Sequence, residues 1–395
     1  MKHDRRRQVG KMHIAFLTSE PDGPDAFNRD TALIGAFESL EVEVSVVAPA
    51  QPSAARAERW RSALLRRMGY NVSTACDVSR LRRLAHSVEK ALRGIKADIV
   101  FSRSTHFAAW LDTPLPVVNW VDAVFECIVD LYPSHIHLDL LSRRAGHRAE
   151  SRALHRSTLT LLKSFWAAGR ALRCYRVPEA QLGIVRAPAI LPEEPARQEV
   201  LSGRVCSGKP LKCLVVGNDW QRKGADIALE AVREVRGMGL DVRLTSLGMK
   251  APSGLAPESW LEILPPLQKG LPDEYQKFRQ QFLGSDVLLL LSRADFTPNV
   301  IAEACAFGLP TIGSPVGAIP EMIEFGQTGF VTHRGEDADA VARFLFRLAT
   351  EPGLLPHMAV QSRNKYEAEY ALPVADRKLT AHLESVLYRG GRRGV

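Results

Sequence analysis

Short apolar runs alternate with amphipathic helical stretches along almost the whole chain, and this alternation leaves few folds open. A run bounded by turn residues and followed by a 3.6-residue pattern is a strand-helix unit. Repeated units of this kind build parallel sheets covered by helices on both faces. The first unit reads as a strand at residues 13–18, a polar Gly/Pro loop at 19–30, a helical pattern at 31–40 and a strand at 42–48. Strands at 98–102 and 116–120, with helices at 79–95, 140–155 and 164–174, extend it into one doubly wound domain.

A Pro/Glu/Gly-rich stretch at 187–210 interrupts this rhythm and reads as an interdomain linker. A second series follows: strand 211–216, loop 217–224, helix 225–236, strands 242–247 and 263–264, helix 272–283, strand 287–291, helix 298–307 and strand 311–314. The segment 337–388 is helical, with breaks at Pro352 and Pro356. The 395 residues suit two domains of ordinary size. The expected organisation is a basic tail at 1–11, an N-terminal Rossmann-like domain at 12–195, a linker at 196–209, a C-terminal Rossmann-like domain at 210–371, and a terminal helix with a basic tail at 372–395.

A composition of 46% hydrophobic and 24% charged residues excludes disordered and fibrous classes. No apolar run approaches the roughly 20 residues of a membrane-spanning helix, and the basic start leads only into a short apolar stretch at 14–17, so no signal peptide is expected. The six cysteines are scattered without a C-x-x-C pair, and His106, His135 and His137 have no ligand spacing. Neither a metal nor another cofactor is expected, and a reduced, cytoplasmic compartment fits.

Of the net charge of +8, the first eleven residues supply +4 and Arg389, Arg392 and Arg393 supply +3. The N-terminal half is nevertheless basic in itself, with eleven basic against three acidic residues at 56–96 and nine against one at 143–176. An anionic surface or acceptor is the expected partner, and nucleic acid is not. Within this half, residues 60–70 place Trp60, Leu64, Leu65 and Met68 on one helical face and Arg61, Arg66 and Arg67 mostly on the other. That pattern suits a helix lying on an anionic membrane, and equally a core-packed helix with a solvated basic face.

The sharpest motif is residues 292–310, SRADFTPNVIAEACAFGLP. Thr297 is suited to cap a helix, Pro298 to its first position, and Gly308 with Pro310 to its end. The N–H groups and positive dipole end of such a helix suit a diphosphate. Asp295 precedes the helix and Glu303 lies about one and a half turns into it, so the two carboxylates can flank one ligand. A second motif, residues 217–224 (GNDWQRKG), lies between a strand and a helix. There Arg222 and Lys223 can neutralise phosphate oxygens and Gly224 permits the tight turn, while Trp220 reads as packing.

Together these residues resemble the GT-B-fold, nucleotide-sugar-dependent retaining glycosyltransferases of the group 1 (family four) type. Asp295 and Glu303 have the spacing of that family's E-x7-E motif, and Lys223-Gly224 matches its K-G turn. Residues 313–321 match its G-x-P-E-containing loop, and residues 324–331 its closing turn and strand. The resemblance implies two Rossmann-like domains facing across a cleft, with the terminal helix returning to the N-terminal domain. It also implies a nucleotide-sugar donor. Arg222, Lys223 and Gly224 would hold the diphosphate with the N–H groups of Asn299 and Val300, Glu303 would hold the ribose, and Asp295 would touch the transferred sugar as a catalytic residue.

On the acceptor side the resemblance implies a loop containing Asp25 and Asn28, joined by Arg103, and a second catalytic position at Asp122, where many relatives carry histidine. The expected reaction is metal-independent transfer, with retention, to a glycan, lipid-linked or small-molecule acceptor. It would take place in the cytoplasm, with peripheral contact to an anionic membrane inner face. The chain departs from the family pattern at Asp295, Pro298, Asn218 and Asp122. Two other readings therefore stay open: a non-catalytic nucleotide-sugar-binding or scaffold protein, and a sugar-nucleotide epimerase of the same fold.

Overall fold

A computed structural model describes residues 11–18, 29–53, 56–202 and 210–391. The chain divides into two compact units, Met1–Val185 with Asp376–Val395, and Arg186–Ala375.

The first unit runs β1 (His13–Leu17), α1 (Arg29–Ser39), β2 (Glu43–Val47), α2 (Arg56–Arg67), α3 (Val78–Leu92), β3 (Ile99–Ser102), β4 (Val117–Val121), α4 (Phe125–Ile128), α5 (Leu140–Arg156), β5 (Leu159–Leu162), α6 (Phe165–Tyr175) and β6 (Leu182–Ile184). Its strands form one parallel sheet in the order β2-β1-β3-β4-β5-β6. β4 is buried at every position, as a strand covered on both faces must be, and its one polar side chain, Asn119, donates from Nδ2 to Ser157 Oγ at 2.6 Å. α3 buries Leu81, Leu84, Ala85 and Val88, the one-sided spacing of an amphipathic helix. Asp139 caps α5 by accepting from Leu141 and Ser142 N–H, and Ser164 caps α6 by accepting from Ala167 N–H.

β5 and β6 were not among the strands expected. Only Ser157 and Thr158 separate β5 from α5, so its apolar run merges with the preceding helical pattern, and β6 is three half-buried residues.

The second unit runs α7 (Arg197–Ser202), β7 (Leu211–Val216), α8 (Ala225–Gly237), β8 (Val242–Leu247), β9 (Leu261–Leu264), α9 (Pro272–Gly284), β10 (Val287–Leu290), α10 (Asn299–Ala306), β11 (Thr311–Gly313), α11 (Ile319–Met322), β12 (Gly329–Val331), α12 (Ala338–Thr350) and α13 (Leu354–Lys365). Its parallel sheet has the order β12-β11-β10-β7-β8-β9, with cores on both faces. One core packs α8 and α12 on the sheet, the other α9 and α10. Part of the stretch expected to be linker is helical: α7 buries Val200, and its Glu199 accepts a two-pronged bond from Arg279 Nη2 at 2.8 and 2.9 Å. The last helix, α14 (Leu372–Gly391), belongs from Asp376 onward to the first unit, where it buries Leu379 and Leu383.

Each sheet reverses its strand order once, between β1 and β3 in the first unit and between β7 and β10 in the second. At such a switch point the loops leaving two neighbouring strands diverge to opposite faces and open a crevice at the carboxyl edge, where doubly wound folds bind ligands.

Candidate functional site

The switch point of the second unit brings the two motifs together. β7 and β10 are neighbours, so the loop at 217–224 leaves one strand beside the loop at 291–298 leaving the other. Gly224 makes the approach: its φ is +72°, and a Cβ there would lie 2.1 Å from the backbone oxygen of Leu291. Backbone and side chain then knit the loops. Arg293 N–H donates to Arg222 O at 2.8 Å, and the Arg222 guanidinium reaches Ala294 O at 3.2 Å and Asn218 Oδ1 at 2.8 Å. Arg293 grips Asp226 with two bonds of 2.9 and 2.8 Å, and this hydrogen bonding, against the cost of burial, holds its guanidinium pKa above the ordinary value.

Inside this frame Lys223 Nζ lies 2.5 Å from Asp295 Oδ2, with both side chains about nine-tenths buried. Asp295 also accepts from Ser292 Oγ at 3.2 Å and from Phe296 N–H at 3.2 Å. A third loop closes over it. Gly317, at φ +58°, would place a Cβ 2.2 Å from Asp295 O, and Ala318 N–H donates to Phe296 O at 2.8 Å.

The start of α10 differs from expectation by one residue. The helix begins at Asn299 with Pro298 in the cap position at extended ψ, and no side chain caps it. Thr297 is therefore not the cap; its hydroxyl is buried and has no hydrogen-bond partner among the described residues. The imide nitrogen of Pro298 sits before the first helical turn, where no ladder bond is lost. Ile301 N–H bonds back to Pro298 O at 3.2 Å, and the N–H groups of Asn299 and Val300 stand in the first turn, whose donors have no acceptor within the helix.

Glu303 is buried on α10 and pairs with Lys269 Nζ at 2.6 Å, which also donates to Ile190 O at 2.9 Å. Lys269 lies in the loop between β9 and α9 and went unnoticed in the sequence, where a lone lysine in a polar loop carries no signal. Trp220 is buried in the core beneath α8, as expected of a packing residue.

In the first unit, Asp122 is the first residue beyond β4 and Lys163 the first beyond β5. Lys163 is buried, its Nζ lies 2.7 Å from Asp122 Oδ1, and it sits over the Trp120 ring at 4.7 Å. Arg103, just beyond β3, donates to Asp30, which also accepts from Thr18 Oγ at 2.7 Å. Asp25 and Asn28 lie outside the described residues. Lys163 and Asp30 were not singled out in the sequence; both are charged residues immediately flanking an apolar run or helix, a weak signal in a chain this rich in charge. Among the described residues no cluster of His, Cys, Asp and Glu could hold a metal ion, and no helix is long and apolar enough to cross a membrane.

Residues 210–351 match the family model of the glycosyl transferases group 1. The amylovoran biosynthesis glycosyltransferase AmsK of Erwinia amylovora is 31% identical over a stretch that is 45% of this chain and 45% of that protein. The match thus spans less than half the length of that curated relative. Among solved structures, sucrose-phosphate synthase of Thermosynechococcus elongatus superposes with a TM-score of 0.68 at 13% identity, covering 96% of this chain and 100% of that one. Anabaena HepE, solved in complex with UDP-glucose, superposes with a TM-score of 0.61 at 15% identity, covering 95% and 100%. The two sheets therefore have the GT-B class of fold, and residues 210–351, which hold the paired Lys223 and Asp295, are similar to the group 1 glycosyl transferases.

Proposed function

We propose that this protein transfers a sugar, with retention of configuration, from a nucleoside-diphosphate sugar to a glycan, lipid-linked or small-molecule acceptor. The observation that carries the reading is the convergence of Lys223, Asp295 and the start of α10 at the β7/β10 switch point. A donor diphosphate placed there meets an ammonium and backbone N–H groups, which stabilise the charge that develops on it as the glycosidic bond breaks. Asp295 faces the transferred sugar, and Glu303, released from Lys269, accepts the ribose hydroxyls. Arg222 completes the diphosphate clamp from the same loop. HepE holds UDP-glucose on the same fold, which makes a uridine nucleotide the first donor to test.

Arg222 and Lys223 supply positive charge directly, so the transfer needs neither a metal nor another cofactor. On the acceptor side we assign Arg103 and Asp122, with the loop of Asp25 and Asn28, to the acceptor hydroxyl. The protein works in the cytoplasm, and the segment from Trp60 to Tyr70 makes peripheral contact with an anionic membrane. That segment leaves Trp60, Leu64 and Met68 exposed, so it does not bury its apolar face in the core of its own unit.

The test is a panel of nucleotide sugars screened for thermal stabilisation, followed by product analysis with the stabilising donor. Transfer or slow donor hydrolysis is expected. Tight binding without turnover would replace this reading by that of a nucleotide-sugar-binding scaffold, and an epimerised donor formed without acceptor by that of an epimerase.

A further inference from the structure

The exposed face of α5 carries charge and apolar surface that nothing in the sugar-transfer site uses. Leu140, Leu141, Arg144, Arg148, Arg152 and Arg156 are exposed, and the spacing of four places most of them along one ridge of the helix. The opposite face is buried through Gly146, Ala149, Ala153 and Leu154, together with Glu150, the only acid of the helix. Among the described residues, the carboxylates from elsewhere that pair with this helix are Asp112 with Arg156 at 3.2 Å, Asp130 with Arg143 at 3.0 Å and Glu126 with His147 at 3.6 Å. Arg148, Ser151, Arg152, His155 and Arg156 line an open depression of about 620 Å³.

The apolar end of the ridge is fastened to the segment that follows α2. Asn71 N–H donates to His137 O at 3.1 Å, Asp139 N–H to Asn71 O at 2.9 Å, and Asn71 Nδ2 to Ile136 O at 2.6 Å. These bonds bring exposed Met68 and Tyr70 into one neighbourhood with exposed Ile136, Leu140 and Leu141. An apolar prow therefore continues into a basic ridge.

We infer that α5 is the second half of a docking surface for an anionic bilayer: its arginines bind lipid phosphates while Leu140 and Leu141 insert beside the residues of α2. This rests on the peripheral contact assigned above to residues 60–70 and extends it to an element whose side chains lie far along the chain. A bilayer fits better than a soluble polyanion because a polyanion offers charge alone, whereas an interfacial surface pairs cations with inserted apolar side chains.

Co-sedimentation of the full chain with phosphatidylglycerol/phosphatidylcholine vesicles and with phosphatidylcholine vesicles tests this. Wild type should sediment with the anionic vesicles only, and less as salt rises. Arg148→Glu/Arg152→Glu should weaken that partitioning by about tenfold or more. Leu140→Ser/Leu141→Ser should weaken it as well, and unchanged melting temperatures would show that the exposed substitutions leave the fold intact. If both α5 variants bind as wild type does while Trp60→Ser/Leu64→Ser abolishes binding, the inference fails and the contact of residues 60–70 stands. No sedimentation of wild type at low salt would overturn both. Loss in the arginine variant with full retention in the leucine variant, matched by tight binding to free heparin, would identify a soluble polyanion and overturn the bilayer.

Discussion

Lys223 Nζ lies 2.5 Å from Asp295 Oδ2, although the two residues are 72 positions apart, and both side chains are largely shielded from water. A pair so placed is asymmetric under mutation, because removing the lysine leaves a buried carboxylate that, among the described residues, keeps the hydrogen bonds of Ser292 and Phe296. Lys223→Ala should lower stability by about 2 kcal/mol, and adding Asp295→Asn should recover most of that loss. Denaturant titration of the two single variants and the double variant measures this coupling; additive losses would mean that the ion pair is not formed in solution. A nucleoside diphosphate should raise the melting temperature of wild type and leave Lys223→Ala nearly unmoved, and an equal rise in both would remove Lys223 from the phosphate clamp.

The two carboxylates of the second unit should fail differently. Glu303→Gln removes a ribose contact that is much the same before and during transfer, so it should raise the donor Kd about tenfold and change turnover at saturation little. Asp295→Asn acts where charge develops and should lower turnover by about 100-fold while affinity stays near wild type. Calorimetric donor titration beside saturation kinetics separates the two, and a pure affinity defect in Asp295→Asn would take Asp295 away from the reacting sugar.

Glu150 links stability to pH. It is buried in the first unit, accepts from Thr105 Oγ at 3.0 Å, and has its pKa pushed up to about 7, chiefly by burial. The folded state therefore keeps this proton where the unfolded chain has lost it. Its contribution is fully present below about pH 4.5 and is lost as pH rises through about 7, a change of about 3 kcal/mol. Glu150→Gln should flatten the fall in stability between those two pH values and leave the variant more stable than wild type at pH 8. Parallel pH-stability curves for the two proteins would show that the carboxyl is ionised in the native state.

Chelation separates direct charge neutralisation from a metal bridge. With Arg222 and Lys223 on the diphosphate, transfer should persist in EDTA at close to its untreated rate. Complete loss that magnesium restores would place a divalent ion between protein and donor.

Much of the fold was legible because its signals are local. Periodicity located β4, β7, β8 and β10, and the helices α5, α8, α9 and α10, to within a residue or two, since burial of both sheet faces demands apolar runs and each covering helix demands a one-sided stripe, whereas the single turn of α4 is too short to show one. The start of α10 was displaced by one residue because proline suits both the cap and the first helical position, and only the backbone angle of Pro298 distinguishes them. β5 escaped because a strand joined to a helix by two residues has no turn signal of its own.

The sequence by itself determined the strand-helix rhythm, the two parallel sheets and the residue types of the Lys223 and Asp295 motifs. Tertiary structure alone decided which charge meets which. Lys223 faces Asp295 because β7 lies beside β10, Glu303 faces Lys269 from the loop after β9, and Asp122 faces Lys163 because β4 lies beside β5. Local propensity fixes each element, but an ion pair depends on distance, and distance across a sheet follows from strand order, which no local stretch of chain encodes.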